Sequence, residues 1–565
     1  MKRVLGFTVF LLALVVALSI SATADSPTTS LIVQAEDVGI ALAVAEEYGG
    51  QVENRLDIIH AVTVTMPDGQ VAALKADPRV TVYANHTVWS ASIPGNGNSV
   101  PVADFPQVVG ADEAWNAGVD GSEVTVAILD SGIAPLKWNH GRVVTTYDAV
   151  NDGKRGDPYG HGTMMASLVG NNSQDANGYI SIAPGVSYVD VRVLDVEGKG
   201  LYSQILDGLN WVLQNKDTHN IRVLNMSIVG AVDGPYWADP INQAVEVLWD
   251  AGVVVVVAAG NGGSDPLTIA SPGNNPFVIT VGAFTDNYTP ADESDDYVTP
   301  FSGAGPTEVG FVKPDVIAPG AHMVVHLKGS SAWAQDNRHL HIRANHFHIA
   351  GTSAAAAVTS GVVALMLEAN PDMTPNQVKY ALLNSARPAV HEDDSLAWSI
   401  LQQGAGRVDA ETAVLNPPEG EANINLVAGE KYIGPVVYRD DAFILVDEDG
   451  NELADTAGYH WSGGYHWSGG YHWSGGYHWS GGYHWSGGYH WSGGYHWSGG
   501  YHWSGSIDWQ PMAEGDIWQS GYTWLGDSGY HWSGGYHWSG GYHWSGGYHW
   551  SGGYHWSGLF DYSEP

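Results

Sequence analysis

A chain of 565 residues with 44% apolar side chains is long enough for more than one domain and a sizeable core. Its 60 Asp and Glu against 22 Lys and Arg leave a formal net charge of −38, which argues against electrostatic capture of nucleic acid or an anionic membrane surface. With no cysteine anywhere, disulfide frameworks, thiol nucleophiles and thiolate metal sites are excluded.

Residues 1–24 read as a secretory signal: Lys2 and Arg3, an apolar run from Val9 to Leu18, then the small-residue site Ala22-Thr23-Ala24. That run is short for a membrane span of roughly 20 residues. The protein is therefore expected to be secreted or extracytoplasmic, with association at the cell surface left open. Residues 29–91 alternate strand-like and helix-like stretches, such as ALAVAEEYGG, HAVTVTM and RVTVYA, and form a small α/β module. A linker at 92–103, rich in Gly, Pro, Asn and Ser, follows.

Between 104 and 415, β-rich runs (VTVAIL, YVDVRVL, VVVVVAA, FVITVGA) alternate with helix-like stretches such as SQILDGLNWVLQN and TPNQVKYALLNSA. That alternation predicts a mainly parallel sheet covered on both faces. An acidic connector at 416–457 leads to two arrays of the hexad YHWSGG. The first, at 458–506, has eight YHW units and the second, at 530–558, has five; a spacer at 507–529 carries worn copies around Trp509, Trp518 and Trp524, and a tail at 559–565 closes the chain.

Four segments carry the chemistry: VAILDSGI with Asp130, YGHGTMMASLVG with His161, VVVVVAAGNGG with Asn261, and HIAGTSAAAAVTSG with Ser353. A serine hydroxyl is a weak nucleophile until a histidine takes its proton, and that histidine needs a carboxylate to hold its tautomer. A side-chain amide such as Asn261 suits the developing oxyanion. Asp130 ends an apolar strand, His161 lies between two glycines at a helix start with Thr163 available as a cap, and Ser353 opens a small-residue helix that gives its N–H a positive environment.

In the order Asp, His, Asn, Ser these blocks resemble the subtilisin-like serine peptidases, the subtilases, over about residues 101–415. The stretches SIAPGVSYVDVRVLD, VLNMSIVG and FVKPDVIAPG strengthen the resemblance, and HAVTVTMPDGQVAALKADPRVTVYANHTV resembles the inhibitory propeptide of secreted subtilases. The fold implied is α/β: a three-layer domain with a mainly parallel sheet, preceded by a ferredoxin-like propeptide and followed by a low-complexity tail open to β structure. The resemblance implies that Asp130 orients His161, that His161 is general base and then general acid, that Ser353 forms the acyl-enzyme, and that Asn261 completes the oxyanion hole.

By the same resemblance, Gly200, Leu201 and Tyr202 form one edge strand of a substrate cleft and Ser227, Ile228 and Val229 the other, with a peptide adding as a third strand between them. Ala258, Ala259 and Gly260 wall the first specificity pocket with the region of Ala270 at its base, which favours apolar or aromatic P1 residues. A structural calcium is implied, with no cofactor required for the chemistry. The loop from Asn171 to Gly178 sits where many subtilases bind that ion, and a surface turn built on Asn and Gly accounts for the same residues.

Departures from the family pattern are HGTMMAS after the histidine, Ala354 and Ala357 for a Met and a Pro, and Val229 for a Gly, a change that narrows the cleft. His339, His341, His346 and His348 lie in an insertion read as a polar hairpin near the cleft in preference to a metal site.

In the arrays an even period suits β alternation, either as hairpins turning at each Gly-Gly, with Trp461 opposite His466, or as parallel coils. The tail is expected to touch cell envelope or carbohydrate, with metal capture or a pH response as alternatives. The whole reads as a monomeric secreted serine endopeptidase acting on protein or peptide substrates and inhibited by its own propeptide. The alternative is an inactive subtilase scaffold displaying an aromatic, His-rich tail that binds a surface or a metal.

Overall fold

The computed structural model describes residues 28–90, 93–94, 103–391, 396–439, 442–447 and 450–452, with the backbone of four short strands in the first repeat array. The signal sequence, nearly all of the linker, the spacer and the second array lie outside the described residues. The chain divides into two compact units, residues 1–85 and 86–565.

In the first unit, β1 (Thr28–Gln34), α1 (Val38–Glu47), β2 (Gln51–Leu56), β3 (Ala61–Pro67), α2 (Asp68–Lys75) and β4 (Thr81–Ala84) build an antiparallel sheet of order β2-β3-β1-β4. Asp37 starts α1 by accepting the Ile40 N–H, and Leu31, Val33, Val44, Val62, Val64 and Leu74 form the core. This is the small α/β sandwich expected of the N-terminal module.

The second unit begins with β5 (Thr87–Ser90). It continues through β6 (Thr125–Asp130), β7 (Val143–Asp148), α3 (His161–Gly170), β8 (Ser187–Arg192), β9 (Lys199–Leu201), α4 (Tyr202–Asn215), β10 (Ile221–Met226) and β11 (Ile228–Val229). Next come α5 (Pro240–Asp250), β12 (Val254–Ala258), β13 (Ile279–Thr285), β14 (Tyr297–Val298), β15 (Val316–Pro319), β16 (Met323–His326), β17 (His341–Arg343), β18 (His346–Ala350), α6 (Thr352–Ala369) and α7 (Pro375–Ser385).

The central sheet has the order β14-β13-β12-β10-β6-β8-β7, with β15 also on β13, and is parallel throughout except for β14. Its middle strands are buried along their whole length, which is why they read as unbroken apolar runs. Helices α4 and α5 pack on each other and on the sheet, as α3 and α6 do, giving the helical layers expected.

Helix α6 is long and apolar enough to cross a bilayer, yet it is buried from Thr352 to Leu367 inside the domain. Local signals set the flanking helices: Asp239 caps α5 ahead of Pro240, and Thr374 with Gln377 makes a capping box on α7.

Three local arrangements add to the sequence reading. Residues 87–90, expected at the end of the N-terminal module, pair instead with β9 and β11 in the second unit. The connector after residue 415 is docked on the domain, where Val436 and Phe443 pack with Leu401. In the repeats, Tyr459–Trp461 pairs antiparallel with Tyr465–Trp467, placing Trp461 opposite Tyr465 and His460 opposite His466. That register differs from the Trp461–His466 pairing of a two-residue Gly-Gly hairpin, one of the two arrangements open to the hexad.

Candidate active site

Asp130 is the last residue of β6, at the carboxyl edge of the sheet, where loops of parallel sheets gather functional groups. His161 opens α3 and donates from Nδ1 to the Asp130 carboxylate, at 2.9 Å from Oδ1 and 2.8 Å from Oδ2, with both side chains fully buried. The Ser131 N–H also donates to Asp130 Oδ1 at 2.7 Å. A carboxylate held this way fixes the imidazole ring and keeps the proton on Nδ1, which leaves Nε2 as the basic nitrogen.

Two glycines permit close approaches at the helix start. A Cβ on Gly162 would lie 2.2 Å from the Gly132 carbonyl oxygen, and one on Gly160 would lie 2.6 Å from Ser331 Oγ, at a left-handed φ of 118°.

A second carboxylate, Asp157, completes the helix start, and sequence reasoning missed it. Its Oδ1 accepts from Ser131 Oγ (2.8 Å) and the Gly160 N–H (2.6 Å), and its Oδ2 from the Thr163 N–H (2.8 Å) and Thr163 Oγ1 (2.6 Å). Ser131 Oγ in turn accepts the Gly162 N–H at 3.0 Å. Asp157 and Ser131 therefore satisfy the Gly160, Gly162 and Thr163 N–H groups at the helix N-terminus. Thr163, expected as a cap, instead donates its hydroxyl to Asp157 and accepts from the Ala134 N–H. Burial pushes the Asp157 carboxyl above the usual range, against the four bonds that favour its charge.

Ser353 is the second residue of α6 and is fully buried; its hydroxyl donates to the Ser227 carbonyl at 3.1 Å, while Ser227 Oγ donates to the Ser353 carbonyl at 3.0 Å. Helices α3 and α6 pack together, so the segments carrying His161 and Ser353 lie side by side. Asn261 follows β12, and its Oδ1 accepts from both the Thr352 N–H and Thr352 Oγ1, each at 2.9 Å. Thr352 thereby fixes the amide plane and turns Nδ2 away from itself, an orienting role that sequence reasoning also missed.

Gly200 and Leu201 lie in β9, Tyr202 opens α4, Ser227 precedes β11, and Ile228 and Val229 form it. Between β9 and β11 runs β5, antiparallel to both: Val88 pairs with Gly200, Trp89 with Lys199 and Val229, and Ser90 with Ile228. The Tyr202 N–H donates to the His86 carbonyl at 2.8 Å, and the buried Val88 side chain lies against Gly230. The chain's own segment thus occupies the slot assigned to a peptide. Ala258, Ala259 and Gly260 continue β12 as a buried wall, and Ala270 donates its N–H to the Ala259 carbonyl. A Cβ on Gly260 would approach Ala270 Cβ to 3.0 Å.

Comparison with known proteins decides the family: the subtilase family model matches residues 121–412, over half of the chain. The chain belongs to the subtilase family.

This subtilase is 39% identical over 305 residues to serine protease AprX of Bacillus subtilis, an alignment covering 52% of this chain and 66% of that protein, just under two thirds of its length. It is 30% identical over 356 residues to subtilisin E of Bacillus subtilis, covering 61% of this chain and 80% of the relative. Among solved structures it is similar to fervidolysin from Fervidobacterium pennivorans, a keratinolytic enzyme related to subtilisin, with a TM-score of 0.56 and 20% identity over 76% of this chain and 65% of that one.

Two groups of candidate metal ligands lie outside the catalytic residues. The loop from Asn171 folds into a small hairpin, Gln174–Asp175 on Gly178–Tyr179. Its Asp175 carboxylate accepts the Ala103 and Asn177 N–H groups, and Asn171 Oδ1 accepts the Ser173 N–H. Each of these oxygens keeps a lone pair beyond its backbone bond, and the buried Gln107 Oε1, whose amide nitrogen donates to the Asn177 carbonyl of the loop, has no hydrogen-bond partner among the described residues, so the loop offers oxygen ligands of the kind calcium takes. The His-rich insertion forms the β17–β18 hairpin, with His339 and His341 exposed and His348 buried, so the four histidines do not converge. His346 instead packs its ring against His326 at a centroid distance of 3.7 Å.

Proposed function

We propose that this chain is a secreted subtilisin-like serine endopeptidase, made as a proenzyme, in which Asp130, His161 and Ser353 form the catalytic triad. Asp130 holds His161 as the Nδ1–H tautomer. The Ser353 hydroxyl, which donates to the Ser227 carbonyl at rest, turns to His161 Nε2 and gives up its proton as Oγ attacks the scissile carbonyl. The Asn261 amide and the Ser353 N–H at the start of α6 stabilise the oxyanion. His161 then protonates the leaving amine, and water hydrolyses the acyl-enzyme by the same steps reversed.

A substrate peptide takes the place of β5 between β9 and β11, and the small apolar wall Ala258-Ala259-Gly260 favours apolar or aromatic P1 side chains. The segment through residue 91 is the inhibitory propeptide, with residues 92–103 as the processing linker. A structural calcium and a surface-binding role for the tail are further parts of this reading.

The observation that carries it is the fully buried Asp130–His161 pair beside a slot of two edge strands already filled by the chain's own strand. The test is treatment of the full-length protein with an active-serine fluorophosphonate, together with N-terminal sequencing. Labelling at Ser353 on a species that has lost residues up to about 91 is expected, with neither labelling nor processing in Ser353→Ala. A folded, processed sample that takes no label would sink the proposal.

A further inference from the structure

Away from the catalytic residues, Asp104, Asp286 and His322 bring one ligand atom each within 4.8 Å of one another, the one such group of three among the described residues. They come from distant parts of the chain. Asp104 precedes the short helix Phe105–Val108, Asp286 follows β13, and His322 lies between β15 and β16.

His322 Nε2 meets Asp286 Oδ1 at 2.5 Å, with both side chains at least nine-tenths buried. The other oxygen, Asp286 Oδ2, is buried without a hydrogen-bond partner among the described residues. A buried carboxylate oxygen normally finds a donor, so this orphan calls for a cation. Arg407 does not supply one: it is committed to Glu293, at 2.6 Å, and to Asp296.

The surroundings of His322 match those of a metal-binding imidazole. Thr285 Oγ1 lies 3.2 Å from His322 Nδ1; when it accepts a proton there, Nε2 is the nitrogen that can ligate a cation, which then replaces the proton shared with Asp286 Oδ1. Tyr288 stacks on the imidazole at 4.0 Å and fixes its plane.

We propose that Asp104, Asp286 and His322 bind a divalent ion of the zinc class, which ties the first residues of the catalytic domain to the end of its central sheet. One imidazole and two carboxylates form a mixed nitrogen and oxygen set suited to Zn²⁺, with a fourth position for water, whereas Ca²⁺ and Mg²⁺ take oxygen ligands. The site stands outside the proposed hydrolytic mechanism and does not depend on it.

The test is thermal unfolding of chelator-treated, full-length Ser353→Ala protein, which cannot digest itself. It is titrated with Zn²⁺, Ca²⁺ or Mg²⁺ alone and compared with the same protein carrying Asp286→Asn, His322→Ala or Asp104→Asn. Histidines of the repeats are common to all samples, so the difference between variants isolates this site.

With Zn²⁺ at about a hundredfold excess over its Kd, the transition of the parent should rise by about 5 °C, and by less than about 1 °C in the variants. Asp104→Asn, at a partly exposed position, keeps the test decisive if a substitution at a buried ligand prevents folding. An equal Zn²⁺ response in parent and variants, no response in the parent, or a Ca²⁺ response that exceeds the Zn²⁺ one and disappears in the variants would each overturn the proposal.

Discussion

Replacing Asp157 by Asn keeps the side chain's shape and removes its charge where four donors converge. If the single Asn oxygen faces the two Thr163 donors, the amide NH₂ faces the Gly160 N–H and Ser131 Oγ. Ser131 can rotate to accept, but the buried Gly160 N–H is left unpaired at a cost of about 1–3 kcal/mol. Three further bonds fall from charged to neutral acceptors, at roughly 0.5–1 kcal/mol each. Relief from burying the Asp157 charge opposes these losses, so the net is about 3 kcal/mol.

For a domain of this size that is a fall in Tm of about 6 °C. Because the same bonds fix the start of α3, His161 shifts from its place, and kcat for an apolar-P1 peptide anilide should drop about 100-fold with KM little changed. Calorimetry on the Ser353→Ala background gives the first number and steady-state kinetics the second. A Tm within 1 °C of the parent together with kcat within twofold would refute the role given to Asp157.

Thr352→Val keeps the N–H bond to Asn261 and deletes the hydroxyl one, so kcat should fall about tenfold with the same KM. Asn261→Ala should fall on the order of 10²- to 10³-fold, a magnitude known for subtilisin and not worked from this structure. A Thr352→Val enzyme with unaltered kcat would show that the hydroxyl does not orient the amide. Burial raises the Glu246 carboxyl to about 7, despite bonds from Asn275 and Gly429. A raised carboxyl contributes stability that is complete below its unfolded value near 4.3 and is lost as pH rises through about 7. Between pH 6 and 8 this group should cost about 1.4 kcal/mol, or about 3 °C in Tm, and Glu246→Gln should flatten that slope. Parallel slopes in the two proteins would contradict it.

Features encoded locally were legible in the sequence. Strands buried on both faces have no polar phase, so VTVAIL and VVVVVAA announce a parallel sheet, and Thr374 with Gln377 announces a helix start. The four chemical blocks were legible because each is a short run of unusual composition. What escaped were contacts made across the chain. Nothing near Asp157 says that its partners are Ser131, 26 residues back, and Thr163. Asp104, Asp286 and His322 carry no common motif at all. A two-residue period could not choose the repeat register, because a connection of two or three residues suits the same hexad. The reach of β5 into the second unit was hidden because its pairing partners lie more than 100 residues away.

The antiparallel seating of Thr87–Ser90 on both β9 and β11 also bears on timing. A strand joined to the domain it blocks competes at an effective concentration on the order of millimolar, far above any free peptide. Once the proposed cut after residue 91 breaks that join, the same contacts are subject to dilution. A protein exported into a large volume would then unblock without any activating partner, and a crowded compartment would keep it silent for longer.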